Sequence, residues 1–119
     1  MRANMQCRRF LLLAAIASQV AAGAALAQSY PSKPIRVVIP FGAGGSTDVL
    51  IRIVASKLPD VLGQQVVIDN RTGAGSMIGT EIVAKSNADG YTLLGAGTPY
   101  AIIPNLYKSV PYNVQKDFT

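Results

Sequence analysis

The chain has 119 residues, with 11 lysines and arginines against 6 aspartates and glutamates, no histidine and one cysteine. Without histidine it cannot build a Ser-His-Asp or Cys-His catalytic set or a histidine-ligated metal site. The basic residues beyond the first nine positions are scattered, and no basic cluster interleaved with aromatics marks a nucleic-acid surface.

The N-terminus reads as an address. Arg2, Arg8 and Arg9 form a basic leader, an apolar alanine-rich run covers residues 10–26, and Ala25-Leu26-Ala27 is an A-x-A cleavage site. This is the pattern of a secretory signal over residues 1–27, with a mature start near Gln28. The competing reading, an N-terminal membrane helix, needs about 20 apolar residues. This run is shorter and is diluted by Ser18, Gln19 and Gly23. Arg8-Arg9-Phe10-Leu11 also hints at a twin-arginine signal, although adjacent arginines are common in ordinary leaders. Cleavage removes Cys7, so the mature part has no disulfide and no thiolate. It also leaves eight basic residues against six acidic, a net charge of +2. About 92 residues then remain, one small domain with a large surface for its volume. The final Lys116-Asp117-Phe118-Thr119 carries no helix stop and no polar tail, which leads us to expect a truncated end.

After a proline-bounded lead-in at residues 30–34, the apolar run 35–40 reads as a strand covered on both faces. A glycine-rich turn, Phe41-Gly-Ala-Gly-Gly45, then opens a helix at Ser46 that extends to about Leu62. Leu50, Ile53, Val54, Leu58 and Val61 fall on one stripe at three-four spacing, interrupted by Lys57. Ser46 or Thr47 is placed to cap this helix, Asp48 suits its positive end, Pro59 should kink or split it, and Gly63 should end it. Residues 65–69 form a second strand, and Asn70-Arg-Thr-Gly-Ala-Gly75 a second glycine turn. A second helix over about 76–86 is expected to bury Ile78, Ile82 and Val83. The Asn87-Ala-Asp-Gly90 turn leads to a third strand at 91–94, which ends in Gly95-Ala-Gly-Thr98. Pro99, Pro104 and Pro111 should break up the remainder, with a short helical turn at 105–108.

The order is β-α-β-α-β, which predicts an α/β fold with a parallel sheet flanked by helices. Ligands of such sheets bind beyond the carboxyl ends of the strands, where three glycine-rich loops are predicted to converge. One glycine turn alone often reflects only a need for positive φ. Three at one edge point to a site. Glycine lets a ligand approach the backbone, and amides around residues 43–47, with the helix dipole behind them, can hold a carboxylate. The hydroxyls of Ser46, Thr47 and Thr98 can add donors.

The rival reading is the nucleotide-binding half of an NAD-type dehydrogenase. Gly42-Ala-Gly44-Gly-Ser-Thr47 nearly fits G-x-G-x-x-G, and Asp69 stands where a ribose-binding acid would stand. Thr47, however, replaces the third glycine, and no G-K-[S/T] follows either turn. Asp69-Asn70-Arg71 can equally be a local ion pair.

The motifs Tyr30-Pro-Ser-Lys-Pro-Ile-Arg36, Val38-Ile-Pro-Phe-Gly-Ala-Gly-Gly-Ser-Thr-Asp48, Leu62-Gly-Gln-Gln-Val-Val67, Asp69-Asn-Arg-Thr-Gly-Ala-Gly75 and Asp89-Gly-Tyr-Thr-Leu-Leu94 occur in one order. Leu106-Tyr107, Pro111-Tyr112 and Lys116-Asp117-Phe118 follow them. Together they resemble the substrate-binding proteins of tripartite tricarboxylate transporters, the TctC or Bug family. The resemblance implies a non-enzymatic periplasmic protein that needs no cofactor. It implies two α/β lobes of the type II periplasmic-binding-protein kind, closing on a small organic or amino-acid carboxylate and delivering it to membrane permease subunits. Residues 28–119 would then be the N-terminal part of the first lobe, incomplete and without the second. Its ligand-binding positions would be Phe41, Gly42, Ala43, Gly44, Gly45, Ser46, Thr47 and Asp48 in the first turn. Gly73 and Gly75 would contribute from the second, and Gly97 and Thr98 from the third. Departures from the family pattern include Thr72 for proline, Ser76 for glycine, Met77 and Ile103 for asparagine, and Asn113 for aspartate.

Overall fold

The computed structural model describes residues 30–118. The leader over residues 1–27 and the mature start at Gln28 lie outside the described residues. Three strands, β1 (Ile35–Ile39), β2 (Val66–Asn70) and β3 (Thr92–Leu94), form one parallel sheet in the order β2-β1-β3. Between and after them come four helices: α1 (Ser46–Ala55), α2 (Leu58–Leu62), α3 (Met77–Ala84) and α4 (Pro99–Leu106). The expected α/β architecture and element order are therefore present.

β1 is central, and Ile35, Val37, Val38 and Ile39 are all buried, as its near-continuous apolar run, interrupted only by Arg36, predicts. The register pairs Ile39 with Asn70 and Val38 with Leu94. Because the strands are parallel, all three glycine turns leave the same edge of the sheet. The chain passes from β1 to β2 on one side and returns to β3 on the other. The topological switch point therefore lies between the first and third loops.

The helix expected over 46–62 is split as Pro59 predicted, into two helices that part at Ser56 and Lys57, and Gly63 ends the second. Pro59 is the cause: its ring crowds the carbonyl of Ala55, the residue at which α1 stops. Other helix expectations need correction. Neither Ser46 nor Thr47 caps α1; the cap position is Gly45, without a side-chain bond. The predicted apolar stripe does not pack on the described sheet, since Leu50, Ile53, Val54 and Val61 are all more than half exposed. The face that meets the sheet instead carries Asp48 and Ala55. The apolar band of α1 is thus wider than three strands cover. Leu50 and Val54 line an open groove with Val37, Leu93 and Leu94.

On α3 the buried positions are Gly79, Thr80 and Val83, whereas Ile78 is 46% exposed and Ile82 half-buried. A Cβ at position 79 would lie 2.6 Å from the Arg71 carbonyl oxygen and 2.8 Å from Pro40. The helix approaches the sheet so closely that small residues face it, and Ile78 is displaced to the flank, over Gly73. Pro99 does not break the chain but starts α4, at a position where a missing N–H costs nothing. The helix carries Pro104 in its last turn and ends at Leu106, so the helical turn expected at 105–108 is not separate. Beyond it the chain folds back on α4: Tyr112 is buried, and the Tyr100 and Phe118 rings meet edge to face at 5.3 Å.

Candidate functional site

Four residues organise the turn after β1. Gly44 has φ +83°, a left-handed conformation that favours glycine. Its amide donates to the Asp48 carboxylate at 2.8 Å. Asp48 is 1% exposed and also accepts from Arg52 Nε and from Asn70 Nδ2, each at 2.9 Å. Asn70 Nδ2 donates as well to the Phe41 carbonyl at 3.0 Å, and Asn70 Oδ1 accepts from Arg52 Nη2 at 2.9 Å. The Arg52 bond, the Gly44 amide and the Asn70 amide hold the Asp48 carboxyl well below the usual carboxylate range. Asp48 therefore turns inward and stays ionised, and its oxygens are occupied by the turn itself.

This bonding sorts the polarity of the turn. The carbonyls of Phe41, Gly42 and Gly45 accept from Asn70, Gly45 N and Val49 N respectively. The amides of Ser46, Thr47 and Asp48, at the first turn of α1, find no acceptor among the described residues. Gly42, Ala43, Gly44, Gly45 and Ser46 are exposed, and Phe41 and Thr47 half-buried. A rim with outward amides at the positive end of a helix suits a carboxylate.

The third loop adjoins this rim. A Cβ on Gly97 would lie 2.9 Å from the Phe41 ring and 3.5 Å from Thr47 Oγ1. Thr98 stands at the N-cap position of α4 without a side-chain bond, and the carbonyls of Gly97 and Thr98 accept from Tyr100 and Ala101 inside that helix. A second helix N-terminus is therefore directed at the same edge. The second turn is placed differently: Cβ atoms on Gly73 and Gly75 would meet Ile78 and Ile103. The first and third loops thus come together at the switch point, while the two glycines of the second turn rest on hydrophobic side chains. Ser76 is buried, at φ +91°, with no partner for its hydroxyl among the described residues.

Asp69, the residue placed for a ribose, pairs with Arg36 and with Arg71, the latter at 2.9 Å, and Arg36 above all holds its carboxyl below the usual range. Its oxygens are engaged, and the ion pair expected there as an alternative forms. Among the described residues no His, Cys, Asp and Glu cluster suited to a metal occurs, and no helix is long and apolar enough to cross a membrane. A concavity of about 470 Å³ lies along β3, lined by Val83, Leu93, Tyr100 and Phe118 among others. It contains none of the rim amides, which stand on an open ledge.

Sequence reasoning did not identify Asn70, Arg52 or Gly79. The i,i+4 spacing of Asp48 and Arg52 was a usable signal. Asn70 reaches the first turn only through the β1–β2 register, which no local pattern reveals.

Comparison with known proteins places the chain in a family. Residues 50–119 match the family model described as the tripartite tricarboxylate transporter family receptor. The chain is 48% identical over 110 residues to protein BugT of Bordetella pertussis, an alignment covering 91% of this chain and 32% of BugT. Among solved structures, the periplasmic binding protein BugD superposes with a TM-score of 0.68 at 38% identity, covering 74% of this chain and 29% of that one. MatC from Rhodopseudomonas palustris with bound malate superposes with a TM-score of 0.66 at 34% identity, covering 76% of this chain and 31% of MatC. The chain spans about a third of the length of these relatives.

Proposed function

The chain belongs to the tripartite tricarboxylate transporter receptor family, and we propose that it is the opening part of the first lobe of a periplasmic solute-binding protein that captures a small organic carboxylate. The observation that carries this is the rim of unbonded amides at residues 46–48, beside which the Phe41, Gly42 and Gly45 carbonyls bond within the fold. Three unbonded amides at the positive end of a helix favour an anion over a neutral or cationic solute. In this reading Gly42, Ala43, Gly45, Ser46 and Thr47 contact the ligand, Gly97 and Thr98 form the facing wall, and Asp48 and Gly44 hold the rim in shape. The second turn, with Gly73 and Gly75, supports that wall through Ile103.

The open ledge fits a site that a second lobe completes. We place residues 1–27 as the cleaved export signal and permease subunits of the transporter as the downstream partners. The nucleotide reading draws no support from Asp69, whose carboxylate is taken by two arginines.

The test is calorimetric titration of the full-length protein with malate, adipate and aspartate, and with NAD. Saturable binding of a carboxylate, with a rise in Tm as a native-state ligand requires, is expected. Binding of NAD alone would overturn the proposal.

A further inference from the structure

Asn70 lies at the end of β2, opposite Ile39 in the register, and not in the turn. Its carboxamide nevertheless makes three bonds to the first turn and α1. One N–H reaches Asp48 Oδ1 at 2.9 Å, the other reaches the Phe41 carbonyl at 3.0 Å, and the oxygen accepts from Arg52 at 2.9 Å. The orientation of the amide is fixed by its partners. Reversed, it would set its oxygen against a carboxylate and a carbonyl, and its NH2 against a guanidinium.

We infer that Asn70 is the positioning residue for anion capture: it draws the Phe41 carbonyl inward, so that this carbonyl is withheld from the ligand that the amides of residues 46–48 face. The inference rests on the carboxylate-binding reading above and extends it to a residue on a different strand. The argument is electrostatic. A carbonyl oxygen released at the mouth would bring negative partial charge to the place where a carboxylate must sit. Asp48 cannot perform this role, because a carboxylate only accepts. Arg52 already donates to Asp48 and to Asn70. Only a side chain with two donors and one acceptor serves the carboxylate, the carbonyl and the guanidinium together, and a carboxamide is that group.

The experiment uses the full-length protein and two readouts, amide hydrogen exchange over residues 42–47 and titration with malate and adipate. Asn70→Asp preserves shape but replaces both donors with acceptors. Asn70→Ser, which keeps one donor, is the second variant should the first not fold. Faster exchange at the bonded amides of Gly44 and Gly45 is expected, with carboxylate affinity about tenfold or more weaker. The double variant Asp48→Asn with Asn70→Asp restores opposite character between positions 48 and 70 but still offers the Phe41 carbonyl no donor. It should recover Tm towards wild type while affinity stays low.

Unchanged exchange in Asn70→Asp overturns the inference. So does faster exchange with wild-type affinity, or full recovery of affinity in the double variant. If the wild-type protein binds none of the carboxylates, the functional reading fails, and the exchange result still decides whether Asn70 orders the turn.

Discussion

The Asp48 carboxylate accepts a bond from the Gly44 amide at 2.8 Å, so the third residue of α1 holds the turn from which its own helix starts. This is a cap made backwards, by a side chain inside the helix. It leaves the hydroxyls of Ser46 and Thr47 unused for capping, on the rim. The arrangement makes turn geometry depend on the charge of one buried acid.

Acid should therefore loosen the turn. Asp48 is held ionised below its ordinary range, so its contribution is fully present above the unfolded carboxylate pKa of about 4 and is lost as pH falls through the lower folded value. Tm should be nearly flat between about pH 7 and about pH 5 and fall in stronger acid. Asp48→Asn should have a lower Tm at neutral pH and a shallower acid slope, because the group that titrates is gone. Asp69 and Asp89 are also depressed and should supply the slope that remains. Parallel curves for the two proteins would refute this role for Asp48.

Ser76→Gly should stabilise the protein. Serine at φ +91° is strained, and its buried hydroxyl has no partner among the described residues. Relief of both costs, less the extra freedom glycine gives the unfolded chain, predicts a gain of about 1 kcal/mol. Ser76→Ala removes the hydroxyl but keeps the strain, so urea midpoints for the pair separate the two contributions.

Gly79→Ala should be destabilising despite the better helix propensity of alanine. The added methyl would meet the Arg71 carbonyl and the Pro40 backbone, neither of which is a flexible side-chain tip. Overpacking of about 1–3 kcal/mol against a propensity gain of about 1 predicts a net loss in thermal or urea unfolding.

Gly42 and Gly44 give a matched pair. A Cβ at either meets nothing within 4 Å, but only Gly44 has positive φ. Gly44→Ala should cost about 1–2 kcal/mol of stability through strain. Gly42→Ala should leave Tm unchanged while weakening carboxylate binding about tenfold, if the ligand lies against the backbone there. Equal affinities for Gly42→Ala and wild type would place the ligand elsewhere.

Much of the fold was legible because its signals are local. The buried strand β1 was visible as an apolar run, the turns as glycine clusters, and the parallel order as alternation of strand and helix. Misreadings arose where contacts are non-local. The stripe Leu50, Ile53, Val54 and Val61 has helical spacing, but its partner cannot be read from spacing, and the described sheet does not supply one. Ile78 was assigned to the core on hydrophobicity, whereas the approach of Gly79 to Pro40 decides which face of α3 turns inward. The first turn was found from its glycines and Asp48. Its brace, Asn70, was hidden because only strand register connects residues 41 and 70.

Gly97 lies close to the aromatic edge of Phe41. Position 97 does not require positive φ, so a side chain there is opposed chiefly by a ring tip that can swivel. A single codon change would tilt that ring and narrow the aperture while the strands beneath stay as they are. On the proposed carboxylate-binding reading, solute size would then change independently of the amides that read charge.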